Sequence, residues 1–303
     1  MKFLGAAITS PIVLPAGILG ISTSSLKRVI KSGAGFVTTK SISLKPRTGH
    51  AGPIFAEFKG GIVNAVGLSN PGIEVALDEV NEFKENSDVN AKIIVSVFGG
   101  SVADFSALAL AVNNSKADFL ELNLSCPNVH DEFSHPFAAS AEHVFEIVHA
   151  VKKVARLPVI AKLSPNVVSI KPIALAAEKG GADALTLINT VGPGMLIDPY
   201  ACKPILKNKV GGLSGPCIKP IALKIIYETY QAVKIPIIGM GGVTNGIDAI
   251  EMFMAGATLI GVGSAVYYRG PNVFKLILKE MHEFLTANGY GSFQEIIGKA
   301  HHG

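Results

Sequence analysis

The chain has 303 residues, 49% hydrophobic and 7% aromatic with no tryptophan, and 27 basic against 23 acidic residues leave a net charge of +4. That apolar content supports one large α/β core or two smaller ones. Basic residues are scattered without interleaved aromatics, which excludes a nucleic-acid binder, and the mild positive balance favours an anionic ligand.

Cys126, Cys202 and Cys217 form no C-x-x-C pair, have no zinc spacing, and are too few for an iron–sulfur cluster of the chain's own. Met1-Lys2-Phe3-Leu4-Gly5 runs into mixed polar sequence, and no apolar run reaches transmembrane length. A cytoplasmic protein without signal peptide or membrane anchor is expected.

In chain order, short apolar segments alternate with stretches of helical period. Predicted strands are 12–18, 35–39, 92–98, 118–123, 158–162, 184–188, 236–239 and 259–263. Predicted helices follow at 22–31, 72–86, 102–113, 141–154, 170–179, 218–232, 247–254 and 271–285. Eight such pairs predict a parallel sheet, and the count favours a closed (β/α)8 TIM barrel over an open doubly wound sheet. Without linker, low-complexity tract or repeat beyond the βα unit, residues 1–303 read as a single domain. Residues 41–71 and 190–217 are long connections after strands two and six. At the carboxyl face of a barrel such loops, with the one after strand four, are expected to cover the active site.

The fourth strand carries the chemistry. Phe119-Leu120-Glu121-Leu122-Asn123-Leu124 alternates like a buried strand and leads to Ser125-Cys126-Pro127-Asn128. Pro127 lacks an N–H and holds Cys126 extended, so regular structure stops there. Two amides, a hydroxyl and a thiol gathered at a strand end are costly unless a polar ligand meets them. On this segment alone, a structural cysteine and a reactive one are equally well supported.

Lys40 and Lys162 close the second and fifth strands, where an ammonium needs an anion or a reacting group, or else snorkels to solvent. Either could form a Schiff base, which keeps an aldolase-like reading open. Gly239-Met240-Gly241-Gly242 and Gly261-Val262-Gly263-Ser264 follow strands seven and eight, the usual phosphate loops of barrels. Asn64, Asn123, Asn128 and Asn189 collect at strand ends and suit a planar heterocycle with C=O and N–H edges. His143, His149, His301 and His302 read as surface residues, His130 and His135 as rivals to Cys126 for a base role. No metal site is expected.

Together these segments resemble the cytosolic (class 1) dihydroorotate dehydrogenases over nearly the whole chain. The motifs are Thr39-Lys40-Ser41, Asn64 through Gly72, Asn123 through Asn128, Ala161-Lys162-Leu163, Ile188-Asn189-Thr190, Gly211 through Gly215, Gly241-Gly242 and Gly263-Ser264. The resemblance implies oxidation of dihydroorotate to orotate on FMN in pyrimidine biosynthesis. It makes Cys126 the base for the C5 proton and Lys162 the stabiliser of the reduced flavin. Lys40, Asn64, Ala65, Val66, Gly67, Leu68, Asn123, Asn128, Asn189 and Thr190 would hold the substrate. Ala16, Gly17, Lys40, Ser41, Ser96, Asn123, Lys162, Ile188 and Gly215 would line the flavin, with Gly241, Gly242, Gly263 and Ser264 on its phosphate.

Ser96 departs from the Asn that many relatives carry. The segment Val129-His130-Asp131-Glu132-Phe133 lacks the Pro-Gly-Lys-Pro run of the fumarate-using class 1A enzymes. This points to class 1B, in which electrons pass to NAD through a partner subunit carrying FAD and a 2Fe-2S cluster. A homodimer, or a heterotetramer with that partner, is the expected assembly. A dihydropyrimidine dehydrogenase-like flavoenzyme is the runner-up, although such relatives carry His where Asn128 stands.

Overall fold

The computed structural model describes residues 2–85, 91–124 and 140–302. Eight strands close into a parallel barrel: β1 (Ile12–Leu14), β2 (Phe36–Thr38), β3 (Lys92–Val97), β4 (Phe119–Asn123), β5 (Val159–Lys162), β6 (Ala184–Leu187), β7 (Ile237–Met240) and β8 (Leu259–Gly261). Helices α1 (Thr23–Lys31), α2 (Ile73–Glu85), α3 (Val102–Val112), α4 (Ala141–Val154), α5 (Ile170–Gly180), α6 (Lys219–Tyr230) and α7 (Gly246–Ala255) each follow a strand. A short α8 (Ala265–Arg269), which periodicity did not anticipate, precedes α9 (Val273–Ala287) after β8. The TIM barrel expected from the alternation is therefore the observed fold, and the open sheet is set aside.

Local chemistry places these elements. Ser22, Ser101, Ser140 and Asn245 cap α1, α3, α4 and α7 by accepting a backbone N–H of the first turn, which satisfies donors the helix leaves open. Helix α4 buries Val144, Ile147, Val148 and Val151, the apolar stripe of a helix lying on a sheet. Before β4 and β6, Asp118 and Asp183 each accept an N–H of the neighbouring strand, from Ile93 at 2.9 Å and Val159 at 2.6 Å. Lys84 and Lys92 pair with Asp118, and Lys152 with Asp183. These clamps sit at the amino end of the barrel, where polar side chains serve stability rather than chemistry.

The inside of the barrel changes character along its axis. Toward the amino end Phe36, Ile94, Phe119, Ile160, Ala184, Ile238 and Leu259 form one apolar cluster, stoppered by Phe3 from an N-terminal hairpin (Lys2–Phe3 with Ala6–Ala7). Two residues further along β3, β4, β5 and β6 the side chains are polar: Ser96 after Ile94, Glu121 after Phe119, Lys162 after Ile160, Thr186 after Ala184. Because strand side chains alternate with period two, these polar groups face the same interior as the apolar plug. The fold thus offers a dry floor beneath a polar layer that opens to the carboxyl end.

The long connections after β2 and β6 build one antiparallel sheet of four strands, ordered Val191–Gly194, Gly211–Ser214, Gly61–Asn64, Phe55–Phe58. Sequence alternation did not reveal it, since its strands are four residues long and three of them contain glycine. His301 also differs from the expected surface role. It stacks on Tyr227 with centroids 3.8 Å apart and its Nε2 lies 3.0 Å from the Ala255 carbonyl oxygen, fixing the tail against α6 and α7. Among the described residues no helix is long and apolar enough to cross a membrane.

Candidate active site

Parallel register aligns Asn123 of β4 with Lys162 of β5, and Lys162 with Thr186 of β6. Lys162 is only 4% exposed, and its Nζ makes no hydrogen bond or ion pair among the described residues. An ammonium on so buried a side chain calls for acceptors that a ligand could bring. Beside it runs a polar network. Asn123 Nδ2 donates to Ser41 Oγ at 2.9 Å, and Ser41 and Ser96 hydroxyls lie 3.0 Å apart. Asn189 Nδ2 faces Asn123 Oδ1 at 3.4 Å, while Asn189 Oδ1 accepts the Thr190 N–H at 2.8 Å. Ser41, Ser96, Asn123, Lys162, Asn189 and Thr190 are therefore gathered over the polar floor.

The segment after Asn64 forms a second wall. Leu68 is left-handed at φ 56° beside Gly67 at φ 76°, a backbone held from outside by its carbonyls. Arg47 Nε donates to Gly67 O at 3.0 Å, Asn70 Nδ2 donates to Leu68 O at 2.9 Å, and the His50 backbone N–H donates to Val66 O at 3.1 Å. Asn64 itself reaches Gly212 O on the neighbouring strand at 3.4 Å, so the two long loops share this wall. Lys40 Nζ donates to Ser69 Oγ at 2.8 Å, and burial lowers its pKa below the ordinary lysine value. A cleft of about 270 Å³ between α1 and α2, lined by Leu26, Ile42, Ala76 and Val80 with Arg47, Ser69 and Glu79 among its polar residues, also has Lys40 in its wall.

Glycines make the third wall. At Gly242 (φ 80°) a Cβ would lie 2.7 Å from Lys219 Cβ and 2.9 Å from Gly215 O, and at Gly241 (φ 122°) 2.8 Å from Ala222 Cβ. A Cβ at Gly215 would come within 3.0 Å of Tyr268 Oη, a buried hydroxyl with no hydrogen-bond partner among the described residues. At Gly263 it would meet Pro15 Cγ at 3.1 Å, which sets the β8 loop against the β1 loop bearing Ala16 and Gly17. The β7 loop is pinned from behind. Asp248 accepts from Thr244 N and Oγ1 at 2.8 and 2.7 Å, and Lys219 Nζ is 2.6 Å from both Asp248 and Glu251. Burial alone would raise the Asp248 pKa, but the Lys219 and Thr244 hydrogen bonds outweigh it and hold the carboxyl below its ordinary value. With its charge committed to two carboxylates, Lys219 leaves anion binding here to backbone N–H groups, the mode glycine permits.

Gly242→Ala is expected to destabilise the protein by about 1–3 kcal/mol, from left-handed strain plus contact with the Lys219 and Gly215 backbone. It should also reduce flavin retention. Unchanged melting temperature and unchanged flavin content on purification would show that this cradle tolerates a side chain.

The residues present fit FMN: tight glycine turns in which a Cβ would collide with Lys219, Gly215 and Ala222, a tyrosine hydroxyl beside them with no partner among the described residues, and the buried Lys162, likewise without one. Tyr268 escaped the sequence reading because α8 is too short to show a period. Glu121, 2% exposed inside the barrel, was also missed, though its spacing from Asn123 in an alternating strand was the available signal. Ser125, Cys126, Asn128, His130 and His135 lie outside the described residues. Among the described residues no group of three or more His, Cys, Asp or Glu could hold a metal ion.

Residues 1–285 match the family described as dihydroorotate dehydrogenase. The "Dihydroorotate dehydrogenase B (NAD(+)), catalytic subunit" of Methanothermobacter thermautotrophicus is 44% identical over 294 residues, covering 97% of this chain and 95% of its own. The protein of the same name from Pyrococcus abyssi is 44% identical over 300 residues, covering 99% and 98%. A crystal structure titled DHODH in complex with ferulenol, from Eimeria tenella, superposes with a TM-score of 0.85 at 23% identity, covering 100% of this chain and 88% of that one. At that identity the likeness speaks for the fold alone.

Proposed function

Because the chain belongs to the dihydroorotate dehydrogenase family, we propose that it oxidises dihydroorotate to orotate on bound FMN, as the catalytic subunit of an NAD-linked enzyme of pyrimidine biosynthesis. The observation that carries this reading is the buried Lys162, its Nζ without a partner among the described residues, in register with Asn123 at the end of the barrel that also carries the glycine loops after β7 and β8. A ligand that is anionic at one end and planar at the other answers all three features.

Gly241, Gly242, Gly263 and Ser264 would hold the FMN phosphate, with Gly215 and Tyr268 alongside. Ala16, Gly17, Lys40, Ser41, Ser96, Asn123, Lys162 and Ile188 would line the isoalloxazine ring. When bound, FMN supplies the two-electron acceptor. Lys40, Asn64, Asn123, Asn128, Asn189, Thr190 and the 65–68 backbone would orient the substrate carboxylate and ring, and Cys126 would take the C5 proton. Lys162 would keep a positive charge where negative charge accumulates. Residues 1–303 would act as a single domain.

The curated relatives are named catalytic subunits, which favours a partner subunit. The chain's cysteines are too few for a cluster, so FAD and the 2Fe-2S centre would reside on that partner, in a heterotetramer built on a homodimer. A cytoplasmic location suits the free Cys202 and Cys217, which an oxidising compartment would endanger.

Purified protein is expected to be yellow, with a band near ~450 nm that shifts on adding orotate and not uracil. A colourless preparation trapped by borohydride with a carbonyl substrate would replace this reading by a Schiff-base aldolase. A flavin shift with uracil alone would indicate a dihydropyrimidine enzyme.

A further inference from the structure

Glu121 has no part in the roles assigned above, yet its carboxyl occupies the centre of the polar floor. Ser96 Oγ and Thr186 Oγ1 each donate to it, both at 2.9 Å. A carboxylate only accepts, so the Ser96 proton is committed to Glu121. Ser96 can then meet Ser41 only as acceptor across their 3.0 Å contact, which commits the Ser41 proton in turn. The Asn123 group 2.9 Å from Ser41 Oγ must therefore be the amide nitrogen, leaving Asn123 Oδ1 turned toward Asn189.

The opposite end of the chain demands the same arrangement. The Thr190 N–H donates to Asn189 Oδ1 at 2.8 Å, which points Asn189 Nδ2 at Asn123 Oδ1. Donors thus run in one direction, Asn189 to Asn123 to Ser41 to Ser96, and end on Glu121. Side-chain amides have two orientations of nearly equal shape, and the surrounding hydrogen bonds choose between them.

We propose that Glu121 is a positioning residue: through Ser96 and Ser41 it fixes which face of the Asn123 amide, oxygen or nitrogen, is offered to the ligand. This rests on the reading of the site as one for orotate over flavin. Loss of the carboxyl frees Ser96 to donate elsewhere and removes the anchor on the Ser41 side of Asn123; the contact from Asn189 on the other side is long, at 3.4 Å, so the amide can turn over. An apolar replacement also strands two hydroxyls in a dry interior, where a fully satisfied network is stiff and a broken one is costly.

The test is orotate affinity, read from the flavin spectral shift of the holoenzyme, with flavin content measured alongside. Glu121→Leu should keep FMN and weaken orotate about tenfold or more. Glu121→Gln can accept from Ser96 with its amide oxygen while donating to Thr186, and should stay within roughly threefold of the parent. In an Asn123→Ala background, Glu121→Leu should cost less than roughly threefold, because the group it orients is gone. Should Glu121→Leu fail to fold, Ser96→Ala severs the same chain one link along and should show the same loss and the same coupling to Asn123. Equal losses in both backgrounds, no loss at all, or a glutamine variant as weak as leucine would overturn the assignment. A parent protein without flavin band or orotate shift would instead remove the reading of the site on which the proposal rests.

Discussion

Cys126→Ala is expected to purify with its flavin and to bind orotate, while flavin reduction by dihydroorotate slows by a factor on the order of 10²–10⁴, the usual worth of a positioned base. Removing a proton from carbon as hydride departs needs a base, and the sequence just after β4 supplies Cys126 as the candidate. The thiolate is the active form, and a free thiol titrates near ~8.5, so the parent rate should climb with pH until the thiol is ionised. In the alanine variant that limb should vanish together with the rate. Stopped-flow bleaching of the flavin across a pH series reads both effects. A variant that reduces its flavin at near-parental rate would transfer the base role to His130, His135 or a water molecule.

Cys126→Ser separates two explanations of the loss. A serine hydroxyl is a far weaker acid than a thiol, so it should reproduce most of the rate loss while preserving size and polarity. Recovery of the rate by serine would mean that the cysteine shapes the site rather than accepting the proton.

The barrel was legible in the sequence because its strands are mostly apolar runs of three to six residues set between helices of clear period, and because lysine or glycine punctuates several strand ends. Lys162, Asn123 and the Gly241–Gly242 pair could be found for the same reason: each breaks its local pattern at a carboxyl end. Glu121 was harder, since a carboxylate inside an alternating strand looks like a solvent-facing residue until closure of the barrel turns that face inward. The four-stranded sheet over the barrel depends on Gly211–Ser214 pairing with Gly61–Asn64, a contact about 150 residues apart that no local period encodes. Tyr268 belongs to a single helical turn and earns meaning only beside Gly215. What stayed hidden was whatever required two distant segments to meet.

Lys162→Met should leave the barrel folded but slow flavin reduction by a factor on the order of 10²–10³, the typical cost of removing one preorganised electrostatic stabiliser. Methionine keeps much of the stem volume, so the loss reports charge rather than a cavity. Lys162 sits in register with Asn123 and Thr186, 4% exposed, where water screens little and a single positive charge acts strongly. If that charge stabilises the electron-rich flavin, the two-electron midpoint potential of the variant should fall, by ~30 mV for each 1.4 kcal/mol of lost stabilisation. Orotate affinity should change less than the potential, because the substrate contacts assigned to the asparagines and Lys40 remain. Thermal stability without flavin should rise or stay level, since the substitution removes an ammonium that is buried without a partner among the described residues. Rate and potential both unchanged in the methionine variant would reject the electrostatic role. A lower rate at an unchanged potential would instead place Lys162 on the substrate side of the site.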